Sequence, residues 1–306
     1  MATALLTHPD CVLHEMGFHH PESPARLKAI LAAISASELA AKLVAHEAPE
    51  ATREQLLRVH AAEHVDLVFE ASPASGYAYL DPDTSMNPRS LSAALHAAGA
   101  LVRATDLVVS GEVRRAFCAV RPPGHHATRT RAMGFCIFNN VAVGAAHALA
   151  AHGLERVAIL DFDVHHGNGT EEMFHDDPRV MLCSTFQHPY YPYCGADSGN
   201  EHIINVPLPA MTDGRGFRAA VERAWLPALA AFRPQLVFVS AGFDAHREDP
   251  LAYLGLEDED YRWVTQVLVE VADRHAGGRV VSTLEGGYDT TVLGRCVVEH
   301  LRVLDA

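Results

Sequence analysis

The chain has 306 residues, of which 49% are hydrophobic and 20% are charged, so it can form a globular protein with a substantial core. Its formal net charge is −14, which argues against nucleic acid as a partner. The same charge would attract cationic small molecules or lysine-bearing chains.

The first hundred residues are predicted to be mostly helical, with a short strand near ALLTH and the clearest helices at 24–43 and 88–104. From about residue 115, apolar runs typical of buried strands alternate with helical patterns. The predicted strands lie at 116–120, 157–162, 180–186, 236–240 and 280–284, and the predicted helices between and after them lie at 140–152, 214–232, 257–276 and 289–304.

This alternation predicts the fold class. Strand, helix and strand in succession imply a parallel sheet, and strands that are apolar at every position imply helices on both faces of that sheet. We therefore predict a three-layer α/β fold. Because no linker, charge block or internal repeat interrupts the sequence, we predict a single domain over residues 1–306.

Three features of the sequence bear on the cellular compartment. The start, MATALLTHPD, lacks the basic and long apolar segments of a secretion signal, and the six cysteines include no CxxC pair. The longest stretch without charged residues, 132–154, contains asparagines and histidines that a lipid-facing helix would bury at a heavy cost. We therefore predict a cytoplasmic protein with reduced thiols and no membrane span.

Polar clusters follow four of the predicted strands. RPPGHHA follows the first, DFDVHHGNG ends the second, AGFDAH follows the fourth and EGGY follows the fifth. In open α/β sheets, ligand crevices form at the carboxyl ends of the parallel strands. The four clusters are therefore predicted to meet at one edge of the sheet.

The second cluster suggests a metal site. Asp161, Asp163 and His165 share one face of an extended segment, and buried carboxylates with no lysine or arginine beside them require a cation. With Asp244, the residues Asp163 and His165 form a set of three ligands typical of catalytic zinc, although Fe²⁺ or Mn²⁺ would also suit it. For D-x-D-x-H alone, aspartates that cap the next helix beside a structural histidine are an equally good interpretation.

The first and last clusters offer groups for proton transfer. His125 and His126 follow a stiff PPG segment, and an imidazole beside a metal could take a proton from water and return it to a leaving amine. Tyr288 could donate a hydrogen bond to a carbonyl oxygen that gains negative charge. Each of these residues alone is more often structural, and their convergence on the metal set favours amide hydrolysis.

With these motifs assembled, the chain resembles the histone deacetylase superfamily, which also includes bacterial deacetylase-like amidohydrolases and acetylpolyamine amidohydrolases. The likeness rests, in the family's order, on HPESPARL, LDPDT, RPPGHHA, GFCIFNN, DFDVHHGNGT, SAGFDAH and LEGGYD. It implies an arginase-like α/β fold with an eight-stranded parallel sheet flanked by helices. It also implies Zn²⁺ held by Asp163, His165 and Asp244.

The resemblance further implies roles for the neighbouring residues. His126 would be the general base and acid, with His125 as its electrostatic neighbour oriented by Asp161, and Tyr288 would polarise the amide carbonyl together with the metal. Asn168 stands where some branches have an aspartate that orients the second histidine, a pattern similar to class II. Because a neutral amide stabilises imidazolium less, we predict a lower pKa for His126 than an aspartate would give.

The substrate side is implied in the same way. Phe135 and Tyr191 resemble the aromatic walls that clasp an extended alkyl chain, with Gly134 and Gly287 beside them in the substrate site. Arg26 matches a basic residue beside the family's inner acetate channel. The segment at 188–200 lacks the glycine-rich form of many relatives, which leaves the substrate preference at this rim open.

A second cation is implied next to the zinc. The family binds a monovalent cation, usually K⁺, and the matching residues of this sequence are Asp161, Asp163, His165 and Ser184.

These observations predict a zinc-dependent amidohydrolase that removes acetyl or a similar small acyl group from lysine side chains or related primary amines. Acetylated polyamines and small metabolite amides are alternative substrates. An arginase-like binuclear manganese hydrolase would need D-x-H-x-D clusters, which this chain lacks at these motifs. A silent module that binds an acylated ligand would need no proton shuttle. The sequence leaves the natural acyl group, the cellular metal and the oligomeric state open.

Overall fold

The computed structural model describes residues 2–306, in which ten strands and ten α-helices are found. The strands are β1 (Thr3–Thr7), β2 (Val44–Glu47), β3 (Ala78–Asp81), β4 (Thr84–Met86), β5 (Arg115–Cys118), β6 (Val157–Asp161), β7 (Val180–Gln187), β8 (Ile203–Leu208), β9 (Leu236–Ala241) and β10 (Val280–Leu284). The helices are α1 (Asp10–Leu13), α2 (Pro24–Ser35), α3 (Arg53–Leu56), α4 (Ala62–Glu70), α5 (Ser90–Val109), α6 (Asn140–His152), α7 (Asn168–Phe174), α8 (Gly214–Phe232), α9 (Asp258–His275) and α10 (Thr290–Leu304), and a 3-10 helix spans Glu38–Ala41.

Eight of the strands form one parallel sheet in the order β2-β1-β5-β10-β9-β6-β7-β8. Helices α5, α6, α8, α9 and α10 pack against its strands. Every residue of β5, β6, β9 and β10 is buried, as expected for parallel strands covered on both faces. The predicted eight-stranded parallel sheet flanked by helices is therefore confirmed.

The register of the sheet determines which strand residues lie beside Asp161, at the edge of the sheet where the polar clusters begin. Asp161 at the end of β6 pairs with Ser184 of β7 on one side and with Ser240 of β9 on the other. β9 ends one residue later, at Ala241, level with Leu284 at the end of β10, whereas β7 continues to Gln187. The loops after β6, β9 and β10 therefore begin close to one level.

Two edge strands were not predicted from the sequence, and the first hundred residues are less helical than expected. β2 forms one edge and is largely exposed, so no apolar run marks it. β8 forms the other edge and contains Pro207, a residue that edge strands tolerate because its missing N–H can face away from the ladder.

The first hundred residues also differ from the prediction. β3 and β4 form a separate antiparallel hairpin. The helix expected at 24–43 ends at Ser35, and the 3-10 helix follows at Glu38–Ala41.

Side-chain caps explain where two of the helices begin. Asp289 accepts hydrogen bonds from the N–H groups of Thr291 and Val292 at the start of α10, and Asn139 accepts one from Ala142 at the start of α6. Helix α5 is long and apolar enough to cross a membrane by length and composition. However, 78% of its most apolar window is buried inside the protein, and the core helix of a soluble protein passes the same test.

Candidate active site

The four polar clusters lie at the carboxyl ends of four neighbouring strands, β5, β10, β9 and β6. The loop after β5 carries His125 and His126, and β6 ends at Asp161. The loop after β9 carries Asp244, and the loop after β10 carries Tyr288. The sheet order therefore brings together segments that are far apart in the sequence.

The three predicted metal ligands form a compact set. The ligand atoms of Asp163, His165 and Asp244 all lie within 4.8 Å of one another. Nδ1 of His165 lies 3.1 Å from an oxygen of Asp163 and 3.2 Å from an oxygen of Asp244. Ligand atoms bound at about 2.0–2.1 Å to one tetrahedral ion are roughly 3.3 Å apart. The spacing of the three side chains therefore fits a single tetrahedral metal.

The charges of this set also fit a cation. All three side chains are buried, and Oδ2 of Asp244 has no hydrogen-bond partner among the described residues. Burial alone would lower the pKa of His165, but Asp163 and Asp244 raise it to about 10. The two carboxylates thus favour positive charge at this point, and one nitrogen with two oxygens suits Zn²⁺, Fe²⁺ or Mn²⁺.

Main-chain N–H groups hold the carboxylates in place. Asp163 accepts from the N–H of His165 at 2.8 Å and from that of Gly286 at 2.8 Å, and Asp244 accepts from Val164 at 2.9 Å. A Cβ atom on Gly286 would lie 2.0 Å from Oδ2 of Asp244. The EGGY cluster therefore needs glycine here so that its backbone can approach the two acids.

The adjacent side chains of His125 and His126 have opposite electrostatic surroundings. Nδ1 of His125 donates to Asp161 at 2.9 Å, and although burial lowers its pKa, Asp161 and Asp163 raise it to about 10. Nδ1 of His126 donates to Oδ1 of Asn168 at 2.8 Å. Burial and the neighbouring His125 hold the pKa of His126 well below its ordinary value. These surroundings favour a proton on both nitrogens of His125 and a neutral imidazole at His126, whose Nδ1 carries the proton bound by Asn168.

Tyr288 is half-buried at the floor of the cavity, with Arg26 over its ring at 4.8 Å from the ring centre. Burial and the nearby Asp244 raise the pKa of the phenol well above its ordinary value, so Tyr288 remains a hydrogen-bond donor. The fully buried Arg26 donates to the carbonyl oxygens of Gly287 and Glu285, each at 2.5 Å. Arg26 thus holds the loop that carries Tyr288, and its place beside an acetate channel stays a prediction.

A cavity of about 270 Å³ opens above these groups. It is lined by Asp83, His126, Gly134, Phe135, His165, Tyr190, Tyr191, Tyr193, Leu251 and Tyr288. The ring of Tyr191 meets His126 edge-on at 5.1 Å, and that of Phe135 meets Tyr288 edge-on at 6.0 Å. The two predicted aromatic walls therefore face the two groups predicted to act on the substrate.

The predicted glycines occupy different places. Gly134 has φ +57°, and a Cβ there would lie 2.5 Å from Cδ2 of His126, so it must be glycine for its backbone to pack on the imidazole. Gly287, also predicted in the substrate site, is buried next to Tyr288 in the chain and lies close to Leu293 and Phe243. Its carbonyl is bound by Arg26, and its place in the substrate site stays a prediction.

The residues predicted to hold a monovalent cation also lie together. Asp161 and Ser184 are fully buried and level on adjacent strands, and Asp161 accepts from the N–H of Asp163 at 3.1 Å. The Ser184 hydroxyl lies 3.2 Å from Nδ1 of His166. K⁺ at this position stays a prediction.

Three acidic residues of the site were not assigned from the sequence. Glu285 accepts from the N–H groups of Gly124 and His125 at 2.7 and 3.2 Å, and burial raises its pKa to about 7. Asp249, whose pKa burial and Asp244 likewise raise to about 7, accepts from the N–H of Tyr288.

The third of these acids, Asp83, accepts from the N–H of Gly134 at 3.0 Å. All three bind backbone N–H groups of other segments, a role that residue types alone do not reveal. The sequence contained a weak signal for two of these acids, because Glu285 directly follows a predicted strand and Asp83 lies in the LDPDT motif.

Comparison with known proteins gives a match over nearly the whole chain. The histone deacetylase domain family matches residues 20–304. A histone deacetylase-like amidohydrolase of Pseudomonas aeruginosa is 41% identical over 292 residues, covering 92% of this chain and 77% of the relative. A probable deacetylase of Archaeoglobus fulgidus is 36% identical over 296 residues, covering 94% of this chain and 82% of the relative.

Among solved structures, the HDA15 HD domain superimposes with a TM-score of 0.94 at 37% sequence identity. The match covers 99% of this chain and 88% of that domain. The range matched by the family includes every residue that lines the cavity and all three residues of the metal set.

Proposed function

Because the chain belongs to the histone deacetylase family, we propose that it is a zinc-dependent amidohydrolase that removes acetyl or a similar small acyl group from lysine side chains or related primary amines. One observation carries the proposal. The set of Asp163, His165 and Asp244 lies beside the same cavity as the neutral imidazole of His126 and the phenol of Tyr288.

Asp163, His165 and Asp244 would hold the metal, and the separation of their ligand atoms supports this assignment. When bound there, Zn²⁺ supplies Lewis acidity to an amide carbonyl and to the attacking water.

His126 accepts a proton from the attacking water at Nε2. Asn168 supports this role because its Oδ1 accepts the Nδ1 proton, so the lone pair is on Nε2. The low pKa of His126 keeps this nitrogen unprotonated before the reaction. After water has attacked the carbonyl carbon, the same nitrogen gives its proton to the departing amine as the C–N bond breaks. The products are the carboxylate and the free amine.

Tyr288 donates its O–H to the carbonyl oxygen while that oxygen gains negative charge. The raised pKa of the phenol supports this role because the proton stays on the oxygen. Phe135 and Tyr191 both line the cavity and would clasp the methylene chain of the substrate. A linear amine such as a lysine side chain therefore suits the cavity.

The test is a turnover panel with the purified, zinc-loaded chain on acetyl-lysine peptides, longer acyl-lysines, acetylputrescine and acetylspermidine. We expect deacylation of the lysine substrates, one bound metal ion per chain, and loss of turnover in His126→Ala.

The other outcomes separate the alternatives. Faster turnover of the acetylpolyamines would assign the second substrate class. Two manganese ions per chain would favour an arginase-like hydrolase. Binding of acylated ligands without turnover of any of them would favour a silent binding module.

A further inference from the structure

One buried carboxylate outside the metal set joins two loops of the cavity. Asp249 is 7% exposed and lies in the loop after β9. Its Oδ2 accepts from the N–H of Tyr288 at 2.7 Å and from that of Asp289 at 3.3 Å, both in the loop after β10. Its Oδ1 accepts from the N–H of Leu251 at 3.0 Å. The carboxylate therefore ties the segment with Tyr288 to the segment with Leu251, a residue of the cavity wall.

The peptide unit between Gly287 and Tyr288 is held at both of its polar groups. Its N–H donates to Asp249, and its carbonyl oxygen accepts from Nε of Arg26 at 2.5 Å. A buried carboxyl group and a buried guanidinium thus bind one peptide, and rotation of the peptide plane would break at least one of these two hydrogen bonds.

The local sequence cannot supply this restraint. Tyr288 follows two glycines, and Gly287 has φ +120°, a conformation that glycine permits but does not impose. Asp249 and Arg26 therefore fix a segment that would otherwise have many accessible conformations, and the position of the Tyr288 phenol depends on them.

The other oxygen of Asp249 acts on the wall of the cavity. Leu251, which donates to it, accepts a hydrogen bond from the Tyr190 hydroxyl at 3.0 Å. The Tyr190 ring lies nearly parallel to the ring of His165, with their centres 5.8 Å apart. Through these contacts one carboxylate links the phenol of Tyr288 to the wall above the metal set.

We propose that Asp249 is a positioning residue that fixes the Tyr288 phenol for hydrogen bonding to the substrate carbonyl. The inference rests on the proposed deacylase function. It predicts that loss of Asp249 slows the chemical step more than it weakens the binding of metal or substrate.

The first test is the kinetics of Asp249→Ala on an acetyl-lysine peptide. We expect kcat to fall about 10- to 100-fold, the usual range for residues that support a site without touching the reacting atoms. We expect KM to change less than about threefold and the zinc content to stay at the wild-type value. In Asp249→Asn, which keeps one acceptor oxygen, we expect a smaller loss of kcat, and this variant serves if the alanine variant fails to fold.

A double-mutant cycle separates positioning from general destabilisation. If Asp249 acts through Tyr288, the Asp249 substitution should cost little further kcat in a Tyr288→Phe background. An equal loss of kcat in both backgrounds would overturn the proposal, as would a loss of zinc in the single variant.

Asp289→Asn is the matched control, because it makes the same chemical change one residue beyond Tyr288. The Asp289 side chain caps α10, and asparagine caps helices equally well. We expect its kcat to equal that of the wild type.

Crystal structures of the wild type and of Asp249→Ala or Asp249→Asn give a readout that does not depend on activity. We expect the Tyr288 ring to be displaced while Asp163, His165 and Asp244 stay in place, and an unmoved ring would overturn the inference. If the wild type deacylates nothing, the proposed function fails, but this comparison still decides whether Asp249 positions Tyr288.

Discussion

The floor of the cavity, formed by His126, Tyr288 and the metal set, and its mouth, around Tyr193, are held in different ways. On the floor, Asp163 and Asp244 are buried and each is bound by backbone N–H groups. At the mouth, Tyr193 lines the cavity with 74% of its surface exposed, and Tyr253, which packs against Tyr190, is 61% exposed. The contrast suggests a division of roles: in the proposed function, the chemistry would depend on buried groups held by backbone hydrogen bonds, and substrate preference on exposed side chains that can adjust.

The largest effect should follow from removing a charge at the floor. We expect Asp244→Ala to lose the bound metal and to lower kcat/KM by about 1,000-fold or more. Lewis-acid stabilisation is worth several kcal/mol, and each 1.4 kcal/mol is roughly a factor of ten. Metal content by mass spectrometry and turnover of an acetyl-lysine peptide measure the two effects.

The matched control is Asp106→Ala, because Asp106 also lies beside two histidines, His147 and His152, but away from the cavity. This variant should keep both metal and activity. Retention of one zinc ion in Asp244→Ala, or its loss in Asp106→Ala, would place the metal outside the floor.

The next largest effect should follow from removing the imidazole of His126, which would impair proton transfer without affecting metal binding. We expect His126→Ala to lower kcat about 10²- to 10⁴-fold, the contribution typical of a general acid–base residue, while the zinc content stays unchanged. Measuring both kcat and metal content distinguishes a loss of proton transfer from a loss of metal. A variant with wild-type kcat would show that another group moves the proton.

A smaller effect should follow from the partner of His126. Asn168→Asp would place a negative charge at the Nδ1 proton and stabilise the imidazolium, so the pKa of His126 should rise. The base is active when unprotonated, and the acidic limb of the kcat/KM profile should therefore move to higher pH, by about one unit or more. The pH profiles of wild type and variant measure the shift. An acidic limb in the same place for both would contradict the role of His126 as the base.

The smallest effect should arise at the mouth. We expect Tyr193→Ala to leave kcat unchanged and to raise KM for an acetyl-lysine peptide by less than about tenfold, which corresponds to 1.4 kcal/mol. Steady-state kinetics on peptides of different flanking sequence would reveal any change in preference. A large fall in kcat would break the distinction between floor and mouth.

Much of the floor could be predicted from the sequence. Asp161, Asp163 and His165 are close together in the chain at the end of an apolar run, and the parallel sheet brings Asp244 to the same edge. The central strands were equally clear because they are apolar at every position. Residue type and spacing alone therefore indicate both the central strands and the residues of the metal set.

The supporting contacts could not be predicted in this way. Asp249 binds a backbone N–H 39 residues away, and Glu285 binds one 161 residues away. Any sequence supplies a backbone N–H at every position except proline, so no residue pattern identifies these partners. The edge strands β2 and β8 were missed for a related reason, because an edge with one neighbour needs neither a continuous apolar run nor the absence of proline.

The contact between Gly134 and His126 has a consequence for how the imidazole behaves during a catalytic cycle. The main chain of Gly134 lies against one side of the ring, and the Asn168 amide accepts a hydrogen bond from Nδ1, so both contacts restrict rotation of the imidazole. If His126 transfers protons as proposed, its orientation is set when the chain folds, and little reorganisation would accompany each turnover. A methyl group at position 134 would therefore tilt the imidazole away from its target even in a well-folded protein.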